Sequence, residues 1–212
     1  MSKIVTVLVL AMLALGPPKP SREPPAPKPV FPKVHWHVSH ALGSPSGGRL
    51  VGGVRLPAEG RHFFTWDPLG HRSPSPGWRR VGTDGLVRVT LRVIGEYAAD
   101  HPGAPRVGIG DLSRPRGGDF GPQFGGPGHV SHQNGLDVDV YYPRKDRRER
   151  PPLEAGQANL RLAQDLVDRF VAAGAEVVFV GPSTGLVGPT GVVRVLAHHD
   201  NHLHVRLPPW LA

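Results

Sequence analysis

Half of the chain's twelve histidines fall in two short runs. The first, Gly128-His129-Val130-Ser131-His132-Gln133-Asn134-Gly135-Leu136-Asp137-Val138-Asp139, joins two imidazoles to two carboxylates. The second, His198-His199-Asp200-Asn201-His202-Leu203-His204, adds four imidazoles near the C-terminus. Imidazole and carboxylate are zinc ligands, and the chain has no cysteine, so a transition-metal site must use nitrogen and oxygen donors. A thiolate-rich structural zinc site is excluded on the same ground. A single His or Asp in a strand is more often packing or surface. Two such runs together are better explained by a metal centre with an open position, the arrangement of zinc hydrolases.

Alternation sorts these residues. Successive side chains of a strand point to opposite faces. A last strand over His202–Leu207 puts His202, His204 and Arg206 on one face and Leu203, Val205 and Leu207 on the other. In the first run, Asp137 and Asp139 share a face, with Leu136, Val138 and Val140 behind them, and Gly135 permits the turn that brings His132 over the strand. His132, Asp139 and His204 are then the expected metal ligands, with water in the fourth position. His202 stands beside the metal as base or oxyanion stabiliser. Asp137 and His199 are candidates for orienting imidazoles through their second nitrogen. Arg206 is placed either to hold a substrate carboxylate or to form a structural ion pair, and His198-His199 reads as an exposed turn rather than as direct metal ligands.

The surrounding elements follow from pattern and punctuation. Residues 34–83 alternate short apolar runs with Gly and Pro, which predicts hairpins and loops. A helix is expected from Thr83-Asp84 to just before Pro102, and a second, strongly amphipathic one over Glu154–Ala173, stopped by Gly174. Further strands are expected at Arg106–Ile109, Gly135–Tyr141, Glu176–Val180 and Val192–Leu196, the last two buried. Gly117–Gly128 reads as a loop, either a substrate-facing lid or a variable surface segment.

Composition sets the outer bounds. With 212 residues, one sizeable domain plus a tail is expected, and 28 glycines and 25 prolines favour long loops over a helical bundle. Residues 1–33 hold five basic residues and one acidic, which leaves the remainder at net +4. That is too weak to argue for nucleic acid, and no basic helix or aromatic platform supports it. Lys3 followed by the apolar run Ile4–Leu15 has the shape of an export signal, or of an uncleaved membrane anchor, over residues 1–16. Residues 17–33 form a Pro-rich linker, with eight prolines between Pro17 and Pro32. The catalytic domain is expected over 34–212.

The residues His129–Asp139, preceded by Gly110-Asp111-Leu112-Ser113 and Arg116-Gly117-Gly118 and followed by His199–Leu207, resemble the penicillin-insensitive murein endopeptidases. Gly53-Val54-Arg55-Leu56-Pro57 and Arg80-Val81-Gly82-Thr83 resemble that family's N-terminal region, so the likeness covers roughly residues 40–207. The family sits in a wider group of zinc peptidases with lysostaphin-like and D-alanyl-D-alanine-cleaving enzymes. The resemblance implies an α+β fold, a small antiparallel sheet carrying the metal and flanked by helices and long Gly/Pro-rich loops. It implies zinc on His132, Asp139 and His204, His202 as the catalytic histidine, and His129 and His199 lining the site. The implied activity is hydrolysis of D-alanyl–meso-diaminopimelyl cross-links in peptidoglycan, outside the cytoplasm, in the periplasm or cell envelope. A metal-activated water as the nucleophile would explain the insensitivity, because there would be no active-site serine to acylate. A D,D-carboxypeptidase trimming uncross-linked stems and a non-catalytic zinc-containing wall-binding module are the competing readings. No protein partner is inferred.

Overall fold

The alternation that sorts the candidate residues also builds the sheet that carries them. In the computed structural model, which describes residues 31–124 and 129–211, an N-terminal hairpin of β1 (His40–Ser44) and β2 (Gly47–Val51) precedes a short strand β3 (Val54–Arg55). Strands β4 (Glu59–Gly60) and β5 (Phe63–Thr65) follow, then β6 (Val81–Gly82), which pairs with β3. Helix α1 (Asp84–Asp100) leads into β7 (Val107–Ile109) and β8 (Asp137–Tyr141). Helix α2 (Leu160–Ala172) is followed by β9 (Val177–Val180), β10 (Val193–Val195) and β11 (His202–Arg206). The export signal and most of the Pro-rich linker lie outside the described residues. Among those described, no helix is long and apolar enough to cross a membrane.

The class is α+β. The main sheet has seven strands in the order β10-β9-β11-β8-β7-β5-β4. Its centre, where β11 lies between β8 and β9, is antiparallel. The sheet is larger than the small antiparallel one expected, and parallel pairs β9/β10 and β5/β7 extend it. Both helices serve the core. Val138 and Val140 of β8 and Leu203 and Val205 of β11 pack with Leu86, Val93 and Ile94 of α1 and Leu166, Val167 and Phe170 of α2, all at most 1% exposed. Each such side chain contributes about 1.5–3 kcal/mol by leaving water. The opposite faces of β8 and β11 are thereby left for the polar residues.

Helix α1 begins where the sequence places it. Thr83 Oγ accepts from Leu86 N at 3.1 Å, and Asp84 in the first turn accepts from Ser39 Oγ at 2.8 Å. Helix α2 starts six residues later than expected. Ala155–Gln157 instead forms a 3₁₀ turn, Gln157 Oε1 is engaged by Arg144 and by Leu153 N, and Asn159 caps the helix by accepting from Leu162 N at 3.3 Å. Gly174 ends it with φ +90°, as glycine at that position does. The strand at 193–195 is not buried as expected: it is the edge of the sheet, and Val195 is 65% exposed.

Candidate metal centre

Register decides the site. Strand β11 pairs with β8 so that His204 lies opposite Asp139, Arg206 opposite Asp137 and His202 opposite Tyr141. Cross-strand partners project to the same side with Cβ atoms about 5 Å apart. The polar face is therefore a strip of three facing pairs. His132 reaches the same strip from the preceding turn. Its backbone has φ +66°, a left-handed conformation costing roughly 1–2 kcal/mol for a residue with a Cβ. Asp137 Oδ2 holds that turn by accepting from His132 N at 3.0 Å. Gly135, at φ +80°, packs so closely that a Cβ there would stand 2.9 Å from Leu50.

Three ligand-capable atoms then meet. His132 Nε2 lies 3.2 Å from His204 Nδ1 and 3.3 Å from Asp139 Oδ1, and His204 Nδ1 lies 3.2 Å from Asp139 Oδ1. Donors about 2.0–2.1 Å from a tetrahedral zinc stand about 3.3–3.4 Å apart, so the triangle has the size of one face of a zinc tetrahedron. The tautomers agree. His132 Nδ1 donates to the Leu112 carbonyl at 2.5 Å and His204 Nε2 donates to Asp137 Oδ1 at 3.0 Å, so the nitrogens facing each other are the unprotonated ones. Asp139 Oδ1 is buried without a hydrogen-bond donor. Two lone pairs and a carboxylate oxygen turned on one point in the interior require a cation, and the residues present fit a zinc ion.

The electrostatics describe the same demand. Burial would raise the Asp139 carboxyl, but electrostatic interaction with the His132 and His202 imidazoles and the close approach of the His132 and His204 rings hold it well below the usual carboxylate range. Burial would likewise raise Asp137, yet its bond to His204 and the charges of His204, His132 and Arg206 keep it ionised. His204 is pulled down by burial and pushed up further by its bond to Asp137 and the closeness of Asp139, ending at about 9.

The other expected residues surround this triangle. His202 Nδ1 donates to Asn201 Oδ1 at 2.6 Å, which turns its Nε2 lone pair toward Asp139 Oδ1, 3.8 Å away. Burial lowers its pKa to about 4, so it is neutral at pH 7. His199 is half-buried, bonded through Nδ1 to the Ala197 carbonyl, with its ring 4.7 Å from that of His202; burial lowers its pKa too. Arg206 Nε donates to Asp137 Oδ1 at 2.7 Å, the ion-pair alternative of the two placements. The His129 ring lies 4.4 Å from that of His132, tilted by 48°, and its Nε2 donates to Asp111 Oδ2 at 2.7 Å. Burial opposes protonation of His129, but that bond and the charges of Asp139 and Asp111 raise its pKa. His129, His132 and Asp139 also form a candidate ligand group, with atoms within 4.8 Å of one another. The triangle containing His204 is tighter, whereas His129 Nε2 is already engaged by Asp111.

Several contributors were not among the expected residues. Tyr141 shares the polar face, and alternation from Asp137 and Asp139 predicts as much. Burial and the charges of Asp111 and Asp139 keep its phenol protonated. Phe120, fully buried, packs edge-on to Trp78 at 6.0 Å and lies 5.0 Å from the His129 ring. Gly118 N donates to the Gln133 and Gly48 carbonyls, so the first part of the 117–128 loop is a fixed wall of the site. Residues 125–128 are outside the described residues.

Two imidazoles and a carboxylate converging on one point, with a neutral third imidazole facing it, have the chemistry of a metallohydrolase centre. A sequence profile of the penicillin-insensitive murein endopeptidases matches residues 41–176, and the chain belongs to that family. Relatives named penicillin-insensitive murein endopeptidase include one from Escherichia coli O157:H7, 33% identical over 132 residues, which covers 62% of this chain and 41% of the relative. Others come from Escherichia coli (strain K12 / DH10B) and Shigella boydii serotype 18, each 33% identical over 103 residues, 49% of this chain and 32% of the relative. The chain thus spans about two fifths or less of the length of these curated relatives. The profile includes His132 and Asp139 but stops before His202 and His204, which reach the site through the pairing of β11 with β8.

Proposed function

We propose that the chain is an exported zinc-dependent murein endopeptidase that hydrolyses D-alanyl–meso-diaminopimelyl cross-links of peptidoglycan. Residues 1–16 act as its export signal or anchor, residues 17–33 as a spacer, and residues 34–212 as the catalytic domain. The observation that carries this reading is the triangle of His132 Nε2, Asp139 Oδ1 and His204 Nδ1, with 3.2–3.3 Å edges. Family membership and the names of the relatives support the substrate.

His132, Asp139 and His204 hold the ion, which supplies Lewis acidity for activating water and polarising the scissile carbonyl. Asp137 fixes His204 in the ligating tautomer and braces the turn at His132. His202 Nε2 takes the proton of the attacking water. As the amide C–N bond breaks, the same imidazolium passes that proton to the leaving amine. His129 and His199 flank the reacting groups.

The test is incubation of the purified protein with cross-linked muropeptide dimers, with and without chelator, followed by mass spectrometry. Conversion of dimers to monomers, lost with chelator and restored by zinc, is expected. Release of free D-alanine from uncross-linked stems would move the assignment to a D,D-carboxypeptidase. Zinc bound with no cleavage of either substrate would leave a wall-binding module.

A further inference from the structure

The imidazole hydrogens around the triangle are already engaged. His132 Nδ1 donates to the Leu112 carbonyl, His204 Nε2 to Asp137, His202 Nδ1 to Asn201, His199 Nδ1 to the Ala197 carbonyl and His129 Nε2 to Asp111. These rings offer lone pairs, and none has a hydrogen left for a charge that develops on a substrate oxygen. The hydroxyl of Tyr141 differs. Tyr141 follows Asp139 on the same face of β8, stands opposite His202 in the register and sets its ring edge-on to the His202 ring at 6.1 Å. Its hydroxyl lies beside Asp139: a Cβ on Gly110 would stand 3.0 Å from Asp139 Cβ and 3.1 Å from Tyr141 Oη. The acceptors nearby do not take its hydrogen. Arg79 occupies both oxygens of Asp111, Nε to Oδ1 at 2.6 Å and Nη2 to Oδ2 at 2.5 Å, and Asp139 Oδ1 has no donor. Among the described residues, Tyr141 Oη makes no hydrogen bond, although the side chain is only 7% exposed. A tyrosine hydroxyl held at such a depth ordinarily has a partner.

We infer that Tyr141 is a further catalytic residue, whose hydroxyl donates a hydrogen bond to the scissile carbonyl oxygen as water adds to the carbonyl carbon. This rests on the reading of the chain as a murein endopeptidase. The register divides the roles. His202 and Tyr141 face each other at one end of the polar strip, and Arg206 is held by Asp137 at the other. His202 accepts a proton, and the phenol beside it offers a hydrogen without giving it up. When the water oxygen bonds to the carbonyl carbon, the π pair moves onto the carbonyl oxygen, and the bond from Tyr141 becomes charge-assisted and stronger. The proton stays on Tyr141, and the oxygen regains its double bond as the C–N bond breaks. An interaction that strengthens only in the transition state raises turnover rather than substrate binding. Glycine at position 110 suits this role, since a side chain there would press on the hydroxyl and on Asp139 together.

The test compares the zinc-loaded wild type with Tyr141→Phe, which removes the hydroxyl and keeps the ring. Zinc content and circular dichroism are expected to stay the same. Turnover of cross-linked muropeptide dimers should fall on the order of 10²-fold with KM little changed, as for loss of one oxyanion donor. A phosphinate analogue of the D-alanyl–diaminopimelyl bond carries a tetrahedral anion in place of the oxyanion. Calorimetry should show it binding Tyr141→Phe more weakly by a similar factor, while the product peptide binds both proteins equally. A tyrosine with only a structural role would not separate the two ligands. Equal turnover and equal phosphinate affinity overturn the inference, as does a loss confined to KM. A crystal structure of the wild type with the phosphinate needs no variant, so it decides the question even if Tyr141→Phe misfolds. Tyr141 Oη within hydrogen-bond distance of a phosphinyl oxygen is expected, and a hydroxyl turned away from it overturns the inference. A wild type that cleaves no dimer and binds no phosphinate overturns the endopeptidase reading itself, and this inference with it.

Discussion

Strands β8 and β11 have two faces built from alternate residues, and the faces obey different physics. Toward the helices stand Val138, Val140, Leu203 and Val205, none of them exposed, and nothing further is needed to satisfy them. Toward the other side stand Asp137, Asp139, His202, His204 and Arg206, of which the first two and His204 are at most 5% exposed. Burying those charges costs free energy that hydrogen bonds alone do not return, as the undonated Asp139 Oδ1 shows. One face makes the fold and the other consumes part of the stability so gained. Removing a cation held there, as proposed, should therefore damage chemistry far more than architecture.

The largest effect expected is from metal removal. Chelation should abolish cleavage of muropeptide dimers, whereas the far-ultraviolet circular dichroism keeps its helical signal because α1 and α2 pack on the apolar face. Loss of helix on chelation would mean that the polar face also carries the fold. Next comes His202→Ala. It should retain one equivalent of zinc, since His202 is outside the triangle, and lose about 10²–10⁴-fold in turnover, the usual worth of a positioned general base. Zinc content by elemental analysis beside the rate separates this from loss of a ligand; zinc-free His202→Ala protein would make His202 a ligand.

The apolar face gives the reciprocal case. Leu203 sits between His202 and His204 in sequence but points into the core at 0% exposure. Leu203→Ala should lower unfolding stability by about 2–5 kcal/mol in a urea titration while the folded protein still binds one zinc. Zinc loss from folded Leu203→Ala protein would show that the two faces are not separable.

This separation explains what can be read from sequence. The alternation at 137–141 and 202–206 assigns each residue its face, and the α1 cap is local to Thr83–Leu86, so both are legible. Cross-strand register is not. Nothing within β8 or β11 alone says that His204 meets Asp139 rather than Asp137. The start of α2 is hidden because Gln157 bonds to Arg144, thirteen residues earlier, and diverts a segment of helical composition into a 3₁₀ turn. The pairing of Arg79 with Asp111 is hidden because a buried ion pair between segments 32 residues apart has no local periodicity.

The smallest effect is the one that tests the shared proton. In the metal-free protein His204 titrates near 9, against an ordinary 6.5, because its bond to Asp137 and the closeness of Asp139 outweigh burial. The sign follows from linkage. A raised folded pKa contributes stability that is fully present below pH 6.5 and is lost as pH rises through about 9. A zinc ion bound by this triangle would have to displace that proton, so its binding would be weakened wherever the proton is held. Zinc affinity should rise about tenfold per pH unit between pH 7 and pH 8.5 and flatten above about 9, from this group alone. Competition titrations with a chromophoric chelator give the slope. A flat profile over that interval would mean that the proton is absent, and that the polar face tolerates two lone pairs and a carboxylate at 3.2–3.3 Å without a cation. His204→Ala should remove the slope together with the tight site, which ties the pH dependence to this imidazole rather than to the bulk charge of the protein.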